Sequence, residues 1–490
     1  MLPGFSDRDH AMASKKTLNE NNLEALGAKR LAELLIEISA GNAAAKRLLR
    51  LELAGTESPG EVAKEIRKRL TTIARSRSFI DWQNRRALVD DLESQRRAIA
   101  DRVAKSNPAE AMELMWRFLD LAQSVFDRCD DSSGTVSRIF HTACSDLGGI
   151  AQAAKIAPRD LADHAFQALI KNDYGQFDDL IEVLTPALGR EGLGHLKQRM
   201  IALLEEPVRR PADKERQVIG WGSSGRIYAD DLAERSRVST VRSALKKIAD
   251  AQGDVDAYIA QYDEPTRKVP KIAAEIARRV LAAGRTKEAW QIIESAEHRR
   301  TGWPDFEWED ARIDVLDALG RGDEAQAARL SCFERSLSAR HLRAYLKQLP
   351  DFDDVEAEER ALGYAEGYKE MLQSLYFLIN WPSLERAARI VIQRAGELDG
   401  DHYEILTPAA DALAGKYPLA ATLVLRAMVE FSLTHARVSR YGHAARHLME
   451  CASLASSIHD FGAFEAHDAY LSRLRREHPR KSSFWSLTSL

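Results

Sequence analysis

Three glycines in the middle of the chain, Gly253, Gly284 and Gly320, sit in related surroundings. AQGDVDAYI, LAAGRTKEAW and ALGRGDEAQAA each carry a small or apolar residue, the glycine, and an acidic residue followed by alanine a few positions on. Their separations, 31 and 36 residues, bracket the ~34-residue period of helix-turn-helix repeats. In such a unit the glycine ends the first helix and the alanine lets the second pack closely. A chain of 490 residues is too long for one compact core, so an array of such units is a natural way to fold it.

Helical periodicity extends beyond the glycines. Leu23, Leu26, Leu31, Leu34, Leu35 and Ile38 recur at spacings of three, four and seven or eight, as do Met112, Met115, Trp116, Leu119 and Phe126. Both stripes read as core-facing helix surfaces rather than ligand contacts. Prolines punctuate the pattern, because Pro is harmless at the first helical position and disruptive further in. Ser58-Pro59, Asn107-Pro108, Thr185-Pro186 and Thr407-Pro408 set a capping side chain before a proline and predict helix starts. Trp303-Pro304, Trp381-Pro382 and Tyr417-Pro418 predict three more, with an aromatic that can staple onto the new helix. Strand-like alternation is almost missing. The expected fold is all-α, a helical repeat or α-solenoid of tetratricopeptide-like helix pairs.

The one long irregular stretch, EEPVRRPADKERQVIGWGSSGRIYAD, combines prolines, glycines and charge. It divides the chain into a flexible tail (1–22), a helical region (23–205), a linker (206–229) and a helical-repeat region (230–490). Gly220, Gly222 and Gly225 within it spell G-x-G-x-x-G, but no buried strand precedes them, so a loop is expected rather than a phosphate cradle.

Charge is nearly balanced, with 70 basic and 74 acidic residues, which excludes polyanion binding by the chain as a whole. Residues 64–102 hold eleven basic and six acidic side chains, including Arg67-Lys68-Arg69, and the acids among them favour a solvated helix face over a nucleic-acid surface. The acidic run from Asp351 to Glu359 reads as the first turns of a helix. Four scattered cysteines, Cys129, Cys144, Cys332 and Cys451, form neither a disulfide framework nor a zinc ribbon. The start of the chain carries charges and no apolar signal region, and no run approaches a membrane span, so a cytoplasmic protein is expected.

Six of thirteen histidines fall at His435, His443, His447, His459, His467 and His478. His443, His447 and Cys451 share a helix face, but eight helical residues cover ~12 Å, too far for one ion with bonds of ~2 Å. No glutamate stands between the histidines as a metalloprotease base would, and neither a Walker loop nor G-x-S-x-G occurs. Neither cofactor nor metal is expected. A binding site is expected where Tyr441, His443, Arg446 and His447 on one helix meet His467 and Tyr470 on the next, beside Arg480, Lys481 and Trp485. The structural alternative there is ordinary packing with a solvated basic tail.

Several segments carry a resemblance: RLAELLIEISAGNAAAKRLLRLELAG, SFIDW, VFDRCDDSSG, ARIDVLDALGRGDEA, YGHAARHL, AHDAYLSRLRREH and RKSSFW. Together they make the chain similar to an uncharacterised bacterial all-helical family, a domain of unknown function whose relatives accompany SWIM-type zinc fingers. The resemblance implies a helical-repeat architecture with no assigned activity. The Cys-x-Cys and Cys-x-His ligands of that finger are absent, so neither zinc nor DNA binding carries over. The function expected first is a non-enzymatic scaffold for a protein or peptide partner. The alternatives are a nucleic-acid-associated accessory protein, separable by the salt dependence of binding, and an enzyme or metal-binding protein built on the C-terminal histidines.

Overall fold

The computed structural model describes residues 17–42, 45–47, 49–50, 52–53, 59–82, 85–207, 211–212, 215–222, 225–297 and 305–488. Helix makes up 74% of the chain, and the fold is an all-α helical repeat. Among the described residues the one sheet is a two-stranded antiparallel hairpin, Val218–Gly222 with Gly225–Tyr228. The chain forms two compact units, Met1–Gln261 and Tyr262–Leu490.

The three repeat glycines do the same local work. Each has a positive φ (67°, 77° and 73°), which costs a residue without Cβ little. After each, the next backbone N–H reaches the carbonyl five residues back: Asp254 to Ala249, Arg285 to Val280 and Arg321 to Leu316, all at 2.9 to 3.0 Å. This is the pairing that satisfies the last carbonyls of a helix and turns the chain. In the second and third units the next residue, Arg285 or Arg321, forms a bidentate pair with Glu288 or Glu324 at 2.6 to 2.7 Å. Ala289 and Ala325 follow fully buried, allowing the close approach within the pairs Pro270–Ala282 with Thr286–Ser295 and Phe306–Ala318 with Gly322–Ser336.

Prolines mark starts in three of the expected places and not in others. Asn107 accepts from the Glu110 N–H at 3.2 Å and the helix Pro108–Leu119 follows. Helices also begin at Pro59 and Pro418. Ser58 and Trp303-Pro304 lie outside the described residues. Pro186 and Pro408, expected as starts, instead lie inside Leu180–Glu205 and Tyr403–Ala414. Burial of Leu180, Ile181, Leu184 and Leu406 extends these helices upstream, so packing outweighs the lost N–H. Thr185 accordingly donates back to the Ile181 carbonyl at 2.7 Å rather than capping, and the chain leaves helical geometry at Gly189. After Trp381-Pro382 the helix opens two residues later, at Leu384.

The two apolar stripes part company. Met112, Met115 and Leu119 are buried as expected, with Trp116 and Phe126 packed against the same core. Leu23, Leu26, Leu35 and Ile38 are exposed, correcting their assignment to a core. Leu31 and Leu34 of the helix Ala28–Ser39 are half-buried, so that face is only partly covered among the described residues. Within the 206–229 segment, Gly220, Gly222 and Gly225 lie in the strands of the hairpin. It lies within the first unit, because Val241, Leu245 and Ile248 of the helix Ala229–Gln252 join the same core as Leu188, Leu196 and Met200.

Candidate functional site

The helix Pro418–Thr434 reads PLAATLVLRAMVEFSLT and is buried on almost every side, with Ala420 through Arg426 all buried. Such a helix is apolar all round because neighbours cover it. Here they are Tyr403–Ala414 before it in the chain and Tyr441–Ala455 after it. Arg426 interrupts the apolar run and is only 6% exposed. Its Nη1 donates to the Glu465 carbonyl at 2.8 Å, and its guanidinium stacks over the Tyr470 ring with Cζ 4.1 Å from the centroid. Nε and Nη2 have no hydrogen-bond partner, and burial pushes its pKa down. Buried ionised groups are ordinarily paired, so an arginine held without a carboxylate is a functional signal.

Around it lies a cleft of about 550 Å³. The helix contributes Leu423, Arg426, Glu430 and Phe431, the 395–400 segment a second wall, and Phe464 and Glu465 of the 456–466 loop a third. Gly400 makes the close fit possible: a Cβ there would stand 2.7 Å from Phe431 Cβ and closer still to the Ala427 carbonyl oxygen. Arg473, the other cation of the lining, is committed to Glu430, Glu465 and Glu477 at 2.8, 2.9 and 3.1 Å. Tyr470 is fully buried with its hydroxyl unpartnered, and burial raises its pKa well above the usual phenol value, so the proton stays on. His467 is buried with both ring nitrogens unpartnered, and burial first, then Arg426, lowers its pKa.

Of the residues expected to form one pocket, Tyr441 and Tyr470 share an apolar core with Trp485 packed against it, and the others lie in different surroundings. Tyr470 lines the Arg426 cleft, and His467 lies close enough to feel the Arg426 charge. His443 and His447 line a separate pocket of about 220 Å³ with Tyr403, Thr407 and Arg440. In it, burial lowers the pKa of His447, while Arg446 donates to His443 Nδ1 at 2.8 Å. Tyr441 is core, packed edge-on to Phe484 with ring centroids 5.8 Å apart. Arg480 is exposed, Lys481 and Trp485 half-buried, and the Trp485 indole donates to the His478 carbonyl at 2.8 Å. Cys451 is buried, its thiol directed to the Thr422 carbonyl at 3.9 Å. Among the described residues no three His, Cys, Asp or Glu side chains are grouped to hold a metal ion, and no helix is long and apolar enough to cross a membrane.

The basic residues of 64–102 are largely committed within the fold. Arg67 pairs with Glu110 at 3.2 Å, Arg69 with Asp91, and Arg96 with Glu93 and Asp146. The acidic run opens the helix Asp353–Glu366.

The family model for DUF6880, a family of unknown function, matches residues 13–487. The chain belongs to this family. No curated protein matches significantly. Among solved structures, a circular tandem repeat protein with novel repeat topology and enhanced subunit contact surfaces aligns over 95% of this chain and 94% of its own. Its 15% identity and TM-score of 0.16 are too low to support an argument. Several segments that mark this DUF6880 chain have structural duties. SFIDW and VFDRCDDSSG meet where the Ile80 N–H donates to the Arg128 carbonyl at 2.7 Å. Asp131 then caps the helix Thr135–Ala154, accepting from the Val136 and Ser137 N–H groups at 2.9 and 2.8 Å. RKSSFW seats Phe484 in the C-terminal core.

Proposed function

We propose that this chain is a non-enzymatic interaction scaffold, built from helix pairs of tetratricopeptide type, whose C-terminal unit recognises an anionic group on a protein or peptide partner. One observation carries the proposal: a buried arginine with two unpartnered nitrogens in the wall of a 550 Å³ cleft. The cleft is within the size range of sites that enclose small ligands or short peptide segments, and stacked helix pairs commonly present such concavities to partners. The nucleic-acid alternative, which drew on residues 64–102 and on Arg473, Arg475, Arg476, Arg480 and Lys481, draws less support where Arg67, Arg69, Arg96 and Arg473 are engaged by carboxylates.

The test is affinity capture from the native host with the full-length chain and its Arg426→Met variant, read by quantitative mass spectrometry. A stoichiometric protein partner retained by the wild type and lost by the variant is the expected result. An identical partner set for both would place recognition elsewhere, and recovery of nucleic acid with a steep salt dependence would favour the accessory-protein alternative.

A further inference from the structure

The unpartnered nitrogens of Arg426 are not an arbitrary pair. Nη1 is taken by the Glu465 carbonyl, which leaves Nε and Nη2, the two donors that lie side by side along one edge of the guanidinium. That edge presents two nearly parallel N–H groups, the geometry that matches the two oxygens of a carboxylate. The Tyr470 ring beneath the guanidinium fixes its plane, and the Tyr470 hydroxyl is a further unpartnered donor beside it.

Charge narrows the ligand. Of the two arginines in the lining among the described residues, Arg426 is not committed to a carboxylate, whereas Arg473 is held by three. Asp399, Glu430 and Glu465 line the same cleft and oppose a doubly charged phosphate more strongly than a single negative charge. Leu398, Leu423, Phe431 and Phe464 supply apolar wall on which a hydrocarbon body can rest.

We infer that the cleft binds a single carboxylate borne on an apolar body, gripped side-on by Nε and Nη2 of Arg426; this rests on the C-terminal unit being a recognition module. Both nitrogens are shielded from solvent, so the oxygens reach them as the wall formed by the 456–466 loop yields. The chemistry is shared by the free C-terminus of a peptide ending in an apolar residue and by a small free acid.

Calorimetric titration of the full-length chain tests this with four probes. They are a tetrapeptide ending in leucine with a free carboxylate, the same peptide C-terminally amidated, N-acetyl-leucine and inorganic phosphate. The free-acid peptide is expected to bind, with the amide and phosphate weaker by about tenfold or more, the worth of the charge-assisted bonds they cannot reproduce. Arg426→Lys, which keeps the charge and loses the fork, should weaken the free acid by a similar factor, as should Arg426→Met. Binding of N-acetyl-leucine as tight as that of the peptide would identify a small acid as the ligand, sustaining the carboxylate grip while removing the scaffold reading. Equal binding of acid and amide, full binding by folded Arg426→Lys, or no binding of either free acid would overturn the carboxylate grip, leaving scaffold function to be judged by partner capture.

Discussion

Replacing Arg426 with methionine should stabilise the C-terminal unit even as it abolishes recognition. The arginine contributes one charge-assisted hydrogen bond to the Glu465 carbonyl, worth about 1.5–3 kcal/mol. Its stacking on Tyr470 adds about 0.5–2 kcal/mol. Against these stands the removal from water of a guanidinium that is 6% exposed and lacks a carboxylate partner, an effective penalty of several kcal/mol. Methionine keeps an apolar body of similar length and adapts to irregular space. Buried ion pairs carry the same desolvation penalty, and their replacement by apolar residues in other proteins has been neutral or has gained 1–4 kcal/mol; a gain of about 1–3 kcal/mol is expected here. That corresponds to a rise of roughly 2–12 °C in the midpoint of a domain of this size. Thermal unfolding gives the total, and hydrogen exchange followed on peptides from 403–485 assigns it to this unit. A loss of more than about 1 kcal/mol, with exchange accelerated around 418–434, would show that Arg426 belongs to the structural core and would refute the reasoning.

Gly400→Ala should destabilise the same unit by about 3 kcal/mol or more, at or beyond the upper end for overpacking, because the new methyl meets the Ala427 backbone as well as Phe431; urea unfolding measures it. The four buried thiols should be inert to a thiol reagent in the folded protein and all react on unfolding, since burial pushes Cys144 and Cys451 up to about 12, Cys332 up to about 11 and Cys129 upward. His341, His447 and His467 are held below 6.5 by burial, so the unfolded chain binds protons first, and their contribution is present above 6.5 and lost as pH falls below it. The urea midpoint of the C-terminal unit should therefore fall between about pH 7.5 and 5.5, a window kept above most carboxylate titration.

The repeat was legible because its signal is local. A glycine that must take positive φ, followed by a small residue that packs closely, announces a helix-turn-helix unit; Gly253, Gly284 and Gly320 all take positive φ, with Ala289 and Ala325 buried and Ala257 half-buried. Proline was a poorer guide, since whether a helix starts at Pro186 or passes through it depends on how much burial the residues upstream contribute. The leucine stripe at 23–38 shows the same limit from the other side: periodicity reveals an apolar face but not whether anything covers it. The histidine and aromatic residues near the C-terminus stood out by composition, yet helical spacing could not say that His443 and Tyr470 open on different cavities. Arg426 was missed, although it left a trace in LVLRAMV, a lone cation in a run too apolar to face water.

The position of the cleft follows from where the repeat loses its regularity. Between Ala282 and Thr286, or Ala318 and Gly322, the turn is a glycine-centred corner of three residues. The cleft of about 410 Å³ between Phe306–Ala318 and Gly322–Ser336 is lined by side chains of the two helices, Trp308, Arg312, Glu324 and Arg335 among them, and by none of the corner residues. The C-terminal connections are different. The 398–402 segment brings Gly400 against the backbone of the helix Pro418–Thr434, and the 456–466 loop carries Phe464 and Glu465 around the far side of Arg426. The three-residue corner contributes nothing to the lining of the cleft between Phe306–Ala318 and Gly322–Ser336, whereas these longer connections form walls of the Arg426 cleft, so the helices supply the frame and the connections its sides. The buried cation sits on the rigid element and its covering wall on the loop. That arrangement holds the guanidinium in a fixed orientation, and side-on capture of a carboxylate requires in addition that the wall bonded to it through Glu465 open.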